Sequence, residues 1–142
     1  PRCICDFASL IMPQYPEMKS VKENSQQEHC LLIKNCDVGN YVDRFNPVAL
    51  IWNNKALKNI HPNIKQRYNM GEVKGLDFPN VIVYPTENML TWINNTTKQL
   101  ADETRAKLYV AVTRAEITIG IIVPDDFCLP SESMLQFWSN PD

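Results

Sequence analysis

The sequence predicts an α/β domain built on a mostly parallel sheet with helices on its faces. Two observations carry this. Four short runs, Cys30 to Lys34, Val48 to Trp52, Asn80 to Tyr84 and Ile117 to Val123, are apolar without alternation, as in strands buried on both faces. Segments of helical period lie between or before them, the order of elements that gives helices packed on a parallel sheet. The chain has 142 residues, 44% hydrophobic and 21% charged, enough for one domain with a hydrophobic core.

Each element has a local reason. From Cys3 to Ile11, apolar residues at Ile4, Phe7, Ala8 and Ile11 make one face of a short helix, which Pro13 and Pro16 end. The polar stretch from Lys19 to Glu28 reads as loop. Asp37 is placed to cap a helix through Tyr41, Val42 and Phe45 that stops before Pro47. The segment from Asn53 to Gly71 has no sustained period and reads as loop, and so does the polar region after Tyr84. A helix is predicted over Asp102 to Glu116, with carboxylates at its positive end and Ala106, Tyr109, Val110 and Thr113 on one face. Pro124 ends the last strand. The tail, residues 127–142, carries Leu135, Phe137 and Trp138 and is expected to dock as a short helix or against a neighbouring domain.

Composition removes several classes. No apolar run approaches the roughly 18 residues a membrane-spanning helix needs, and no secretory leader is visible. Net charge is −2, unlike the basic balance common in nucleic-acid-binding domains, so any nucleic-acid contact must be local or shared with another domain. Five cysteines without a Cys-x-x-Cys pair, and two histidines at no ligand-like spacing, predict no metal site and reduced thiols in a cytoplasmic protein. The chain begins at Pro1, mid-pattern and without Met, so it is expected to be a domain of a larger protein.

Two stretches carry chemistry. Lys74, Gly75 and Asp77 directly precede a strand, whereas open parallel sheets usually bind ligands beyond the carboxyl ends of their strands. They therefore belong to a loop feeding the sheet or to the edge of an interface. Gly75 allows a positive φ or close backbone approach. Asp77 can accept hydrogen bonds from ribose hydroxyls, and Lys74 can pair with phosphate or a carboxylate; an ordinary turn with a salt bridge is the alternative. Arg114 follows the apolar run Tyr109 to Val112 and must reach solvent or an anion, because burial unpaired is prohibitive. Its planar fork suits bidentate contact with a terminal phosphate, and the alternative is a structural Arg–carboxylate pair.

Taken together, Val73 to Tyr84 followed by Ala106 to Val123 resembles motifs V and VI of superfamily 1 helicases of the UvrD/Rep type. Those read approximately Lys-Gly-Leu-Glu-Phe and Tyr-Val-Ala-x-Thr-Arg-Ala, then a hydrophobic strand. The helix from Cys3 is similar to the one after motif IV, and Val48 to Asn54 resembles a later strand, so the likeness spans Cys3 to Val123. The match is specific at the two motifs and loose between them.

The resemblance implies a P-loop NTPase-type, RecA-like fold without its own Walker A loop, since no Gly-x-x-x-x-Gly-Lys-Ser/Thr occurs. Residues 1–142 would form the second RecA-like motor domain of an ATP-dependent DNA helicase or translocase, with Mg²⁺ ligands in an N-terminal RecA-like domain of the same chain. Arg114 would be catalytic and contact the γ-phosphate. Gly75 and Asp77 would complete the ATP site, with Asp77 standing where the family usually has Glu. Asn69 and Gly71 occupy the positions of the family's Thr-x-His. Asn69 and Lys74 would lie at the DNA, either single strand or a junction of single and double strand. The motif IV arginine would precede Pro1. The fragment alone would be inactive, and the parent protein would serve DNA repair or a related process. The alternative is a non-catalytic, nucleotide-gated DNA-binding module of a repair or phage-defence complex.

Overall fold

The computed structural model describes residues 2–12, 29–53, 60–73, 75–96, 99–130, 133 and 135–139. The elements are α1 (Arg2–Ile11), β1 (His29–Lys34), α2 (Val38–Phe45), β2 (Val48–Ile51), β3 (Arg67–Asn69), β4 (Phe78–Val83), α3 (Glu87–Asn94), α4 (Asp102–Thr113), β5 (Ala115–Val123) and β6 (Gln136–Phe137). They form one six-stranded sheet in the order β3-β2-β4-β5-β1-β6. Every described pairing is parallel.

The unalternating apolar runs become the central strands because helices cover both faces of the sheet. Alternate residues of each strand enter opposite cores, the geometry of a period-two pleat. Cys30 and Leu32 pack with α1, α3 and α4 on one face. Leu31 and Ile33 pack with Tyr41 and Val42 of α2 on the other. Leu31, Leu32, Ile33, Val81, Ile82, Val83, Ile119, Ile121 and Ile122 are all buried, as continuous apolar strands require. The four predicted α1 positions are buried too, and the Phe7 ring stacks on Trp92 of α3 at 6.2 Å.

Beneath α2 a polar chain crosses the sheet. The Tyr41 hydroxyl lies 2.9 Å from Thr118 Oγ1. Thr118 Oγ1 donates to Asn80 Oδ1 at 2.7 Å, and Asn80 Nδ2 donates to the Phe45 carbonyl at 3.1 Å. Each of these buried or half-buried groups is thereby satisfied. Burial pushes the Tyr41 phenol up to about 12, partly opposed by the bond to Thr118.

The structure corrects several expectations. The sheet gains two edge strands, β3 and β6, that local pattern did not reveal. Both are short and exposed or half-buried, and their pairing partners rather than their own composition make them strands. The tail accordingly joins the sheet at β6 instead of forming a helix, with Leu135 and Trp138 buried. The polar region after Tyr84 contains α3, capped by the Thr86 hydroxyl accepting from the Met89 amide at 3.3 Å. Asp37 stands at the N-cap of α2 but makes no side-chain cap bond, because a 3-10 turn over Asn35–Asp37 leads into the helix and holds it in a helical conformation.

The predicted face of α4 is rotated. Thr104, Leu108, Ala111 and Val112 are buried, while Ala106 is exposed and Tyr109, Val110 and Thr113 are only partly covered. The helix ends at Thr113 and β5 begins at Ala115, earlier than the apolar run alone suggests. Pro13, Pro16 and the loop predicted over Lys19 to Glu28 lie outside the described residues, as does Lys74; Asn54 to Asn59, within the Asn53 to Gly71 loop, do so too.

Candidate functional site

Gly75, Leu76 and Asp77 lie in a turn that leads into β4. The Leu76 amide donates to the Val73 carbonyl at 3.0 Å, and Gly75 inside that turn has φ +89°. A Cβ on Gly75 would meet nothing within 4 Å, so the constraint is backbone conformation and not crowding. Leu76 and Asp77 are exposed. Among the described residues Asp77 has no ion-pair partner.

Arg114 arrives from the other direction. It is the C-cap of α4, and its carbonyl accepts the Phe78 amide at 2.8 Å. Phe78 pairs with Ala115 in the adjoining register. One hydrogen bond thus brings Gly75, Asp77 and Arg114 to the amino-terminal ends of β4 and β5, from stretches far apart in sequence. Arg114 Nη2 donates to Thr113 Oγ1 at 3.3 Å, and that hydroxyl donates to the Val110 carbonyl at 3.1 Å. Arg114 Nε is buried without an acceptor, and no carboxylate among the described residues lies within ion-pair distance of the guanidinium. A half-buried guanidinium with donors to spare can accept an anion. The first turn of α1 lies at the start of β1, where the Cys3 and Cys30 thiols are hydrogen-bonded; that bond, then burial, pushes the Cys30 thiol up.

Asn69 is not part of this cluster. The register sets it beside Ile51, past the level of Val83, at the carboxyl ends of the strands. Its Nδ2 donates to Glu72 Oε1 at 3.1 Å. A cleft of about 550 Å³ opens at that end, lined by Asn35, Trp52, Asn53, Tyr84, Thr86 and Glu87 among others. Lys107 of α4 holds the Trp52 indole with Nζ 3.9 Å from the ring centre, and the same ammonium lies 3.7 Å from Glu103. Burial pushes the Tyr84 phenol up, opposed by the His61 amide, which donates to its hydroxyl at 2.9 Å.

Trp52, which lines this cleft, does not stand out in the sequence because it closes an apolar run and looks like the last residue of a strand. The signal was present in the two asparagines that follow it, which mark the carboxyl end where α/β sheets bind ligands. Lys107 gave no signal, since only packing of α4 brings it over the indole.

The fold and these two ends define a RecA-like α/β domain with an unpaired arginine at the amino ends of its strands. No protein-family profile matches the chain, and no curated protein matches it. Among solved structures, the C-terminal domain of a possible DNA helicase from Lactobacillus plantarum WCFS1 is similar at TM-score 0.51 and 18% identity, over 92% of this chain and 88% of that one. At that identity the likeness is one of fold. No helix among the described residues is long and apolar enough to cross a membrane.

Proposed function

We propose that this chain is the second RecA-like motor domain of a UvrD/Rep-type DNA helicase or translocase, completing an ATP site held mainly by a partner RecA-like domain. The observation that carries the reading is the Phe78–Arg114 hydrogen bond, which sets the Gly75 turn, exposed Asp77 and unpaired Arg114 at one edge. In this reading Arg114 offers its fork to the γ-phosphate as charge develops in phosphoryl transfer. Asp77 accepts from ribose hydroxyls, and the Gly75 turn lets the backbone approach. ATP brings its Mg²⁺, whose ligands belong to the partner domain. The similarity to a domain of a possible DNA helicase supports the same reading.

Coupling then has a physical carrier. α4 is a twelve-residue helix, about 18 Å long at 1.5 Å per residue, that ends at Arg114 and presses Lys107 on Trp52 on the way. A shift of Arg114 on nucleotide closure would be felt at the carboxyl-end cleft that Trp52 lines, with Asn69 at the same end of the sheet, and there a single strand would cross. Trp52→Ala is expected to weaken binding of an oligo-dT strand about 10-fold, the scale of one lost stacking contact. Anisotropy titration checks this, and an unchanged affinity would move the strand away from this end.

The reading also makes the chain incomplete as an enzyme. Purified alone, it is expected to release no phosphate from ATP, with or without DNA, above a matched inactive preparation. Joined to a phosphate-loop domain of its own protein, it is expected to support DNA-stimulated hydrolysis. Robust hydrolysis by the chain alone would reject the division of labour.

A further inference from the structure

The cysteines have no part in the ATP-site reading, and none of the five is in a disulfide. Two of them meet. Cys3 lies in the first turn of α1, and Cys30 is the second residue of β1. Cys3 is half-buried against the core cluster that includes Cys30, and the two thiols are hydrogen-bonded. A disulfide needs side chains that converge, and thiols already in hydrogen-bond contact meet that condition. Local sequence does not bring them together; the packing of α1 over β1 and β5 does.

The two thiols are unlike. Cys30 is only 6% exposed, whereas Cys3 is partly open to solvent. The bond to Cys3, then burial, then the Asp6 carboxylate one turn along α1 all keep the proton on Cys30. Cys30 is thus the S–H donor of the pair and the Cys3 sulfur the acceptor, which favours negative charge on Cys3. The first turn of a helix favours a thiolate in the same sense. The other cysteines are placed differently. Cys5 stands about 200° further round α1 at 3.6 residues per turn and joins neither core cluster. Cys36 is exposed, but a hydrogen bond to the Asp125 carboxylate pushes its thiol up and makes it a poorer nucleophile. Cys128 Sγ donates to the Asp126 carbonyl at 3.6 Å.

We propose that Cys3 and Cys30 form a reversible oxidation site, closed to a disulfide by hydrogen peroxide. The Cys3 thiolate attacks one peroxide oxygen, the O–O bond breaks, hydroxide leaves, and Cys3 becomes a sulfenic acid. The Cys30 sulfur then attacks the Cys3 sulfur. The S–O bond breaks, and the departing hydroxide takes the Cys30 proton as water. With the proton that Cys3 gave up, two thiols are oxidised and one peroxide is reduced to two waters. The new bond ties α1 to the sheet and closes the chain between them into a loop, which removes conformations from the unfolded state. A dithiol reductant reverses it by exchange. The inference does not depend on the helicase reading, since neither cysteine belongs to the Arg114 site.

The test treats the full reduced chain with hydrogen peroxide, removes the excess with catalase, alkylates the remaining thiols and maps tryptic peptides without reduction. A cross-link between the peptides that hold Cys3 and Cys30 is expected. Tm should rise by about 10 °C and return with dithiothreitol, the scale of one native-like disulfide in a domain of this size. Cys3→Ser should abolish both the cross-link and the shift, and because residue 3 is only half-buried its variant keeps the fold. Cys30→Ala should leave Cys3 as a sulfenic acid that dimedone captures. Cys5→Ala and Cys36→Ser should each retain the cross-link and the shift. Sulfinic or sulfonic acid at Cys3 without a cross-link, a cross-link through Cys5 instead, a cross-link that forms only in urea, or an unchanged or lowered Tm in the cross-linked chain would each overturn the proposal.

Discussion

On the proposed reading, Arg114→Ala in a protein joining this chain to a phosphate-loop domain is expected to lower kcat for ATP hydrolysis by about 10³-fold or more, the scale of arginine-finger effects. The geometry behind the number is the guanidinium at the amino ends of β4 and β5, with one weak contact to Thr113 and a buried Nε without an acceptor. A group so placed contributes little to the fold, because its burial is uncompensated in the isolated domain. Removing it should leave Tm unchanged or slightly raised. ATP affinity should change less than turnover, since the fork matters most when charge builds on the transferring phosphoryl group. Arg114→Lys should rescue poorly, because a point charge cannot reproduce the planar fork. A structural ion pair predicts the reverse, a lower Tm with nearly normal turnover in the folded fraction. Measuring kcat and Tm on the same preparation separates the two, and near-normal turnover sinks the assignment.

Gly120→Ala is expected to destabilise the domain by about 1–3 kcal/mol, the range for overpacking a filled core. At about 4 °C per kcal/mol for a domain of this size, Tm should fall visibly. Gly120 lies in the middle of β5, between Ile82 and Leu31 of the neighbouring strands. A Cβ there would come 2.9 Å from Ile33 Cγ1 and 3.1 Å from Tyr41 Cζ. The Tyr41 ring cannot retreat cheaply, because its hydroxyl is tied to Thr118 on the same strand. Gly120→Val should cost more. The sign is the informative part: glycine in a strand ordinarily weakens it, so with open space above the residue alanine would stabilise instead. A raised Tm for Gly120→Ala would show that Tyr41 does not pack as described.

The legibility of this chain divides along a physical line. Strands buried on both faces announce themselves, because every residue must be apolar whatever its direction; β1, β2, β4 and β5 were readable for that reason. The α1 face was readable because a single stripe of Ile4, Phe7, Ala8 and Ile11 is covered by one layer. α4 was misjudged in phase. Its two sides meet different neighbours, so burial follows Leu108, Ala111 and Val112 and not one local stripe. β3 and β6 were invisible because two or three residues carry no period, and their strand state is conferred by Ala49 to Ile51 and by Leu31 and Leu32.

The candidate site divides in the same way. The sequence by itself determined which residue types are present and in what order: a glycine free to take φ +89°, a carboxylate one residue before a strand, and an arginine closing a helix. Those properties are local, set by backbone freedom and side-chain chemistry. Only the tertiary structure decided which of them meet. The Phe78–Arg114 bond places Asp77 and Arg114 at one end of the sheet, and the β2–β3 register sends Asn69 to the other. Strand pairing joins residues remote in sequence through hydrogen bonds whose register no local pattern specifies. It took that register to separate the arginine edge from the Trp52 cleft and to leave α4 spanning the distance between them.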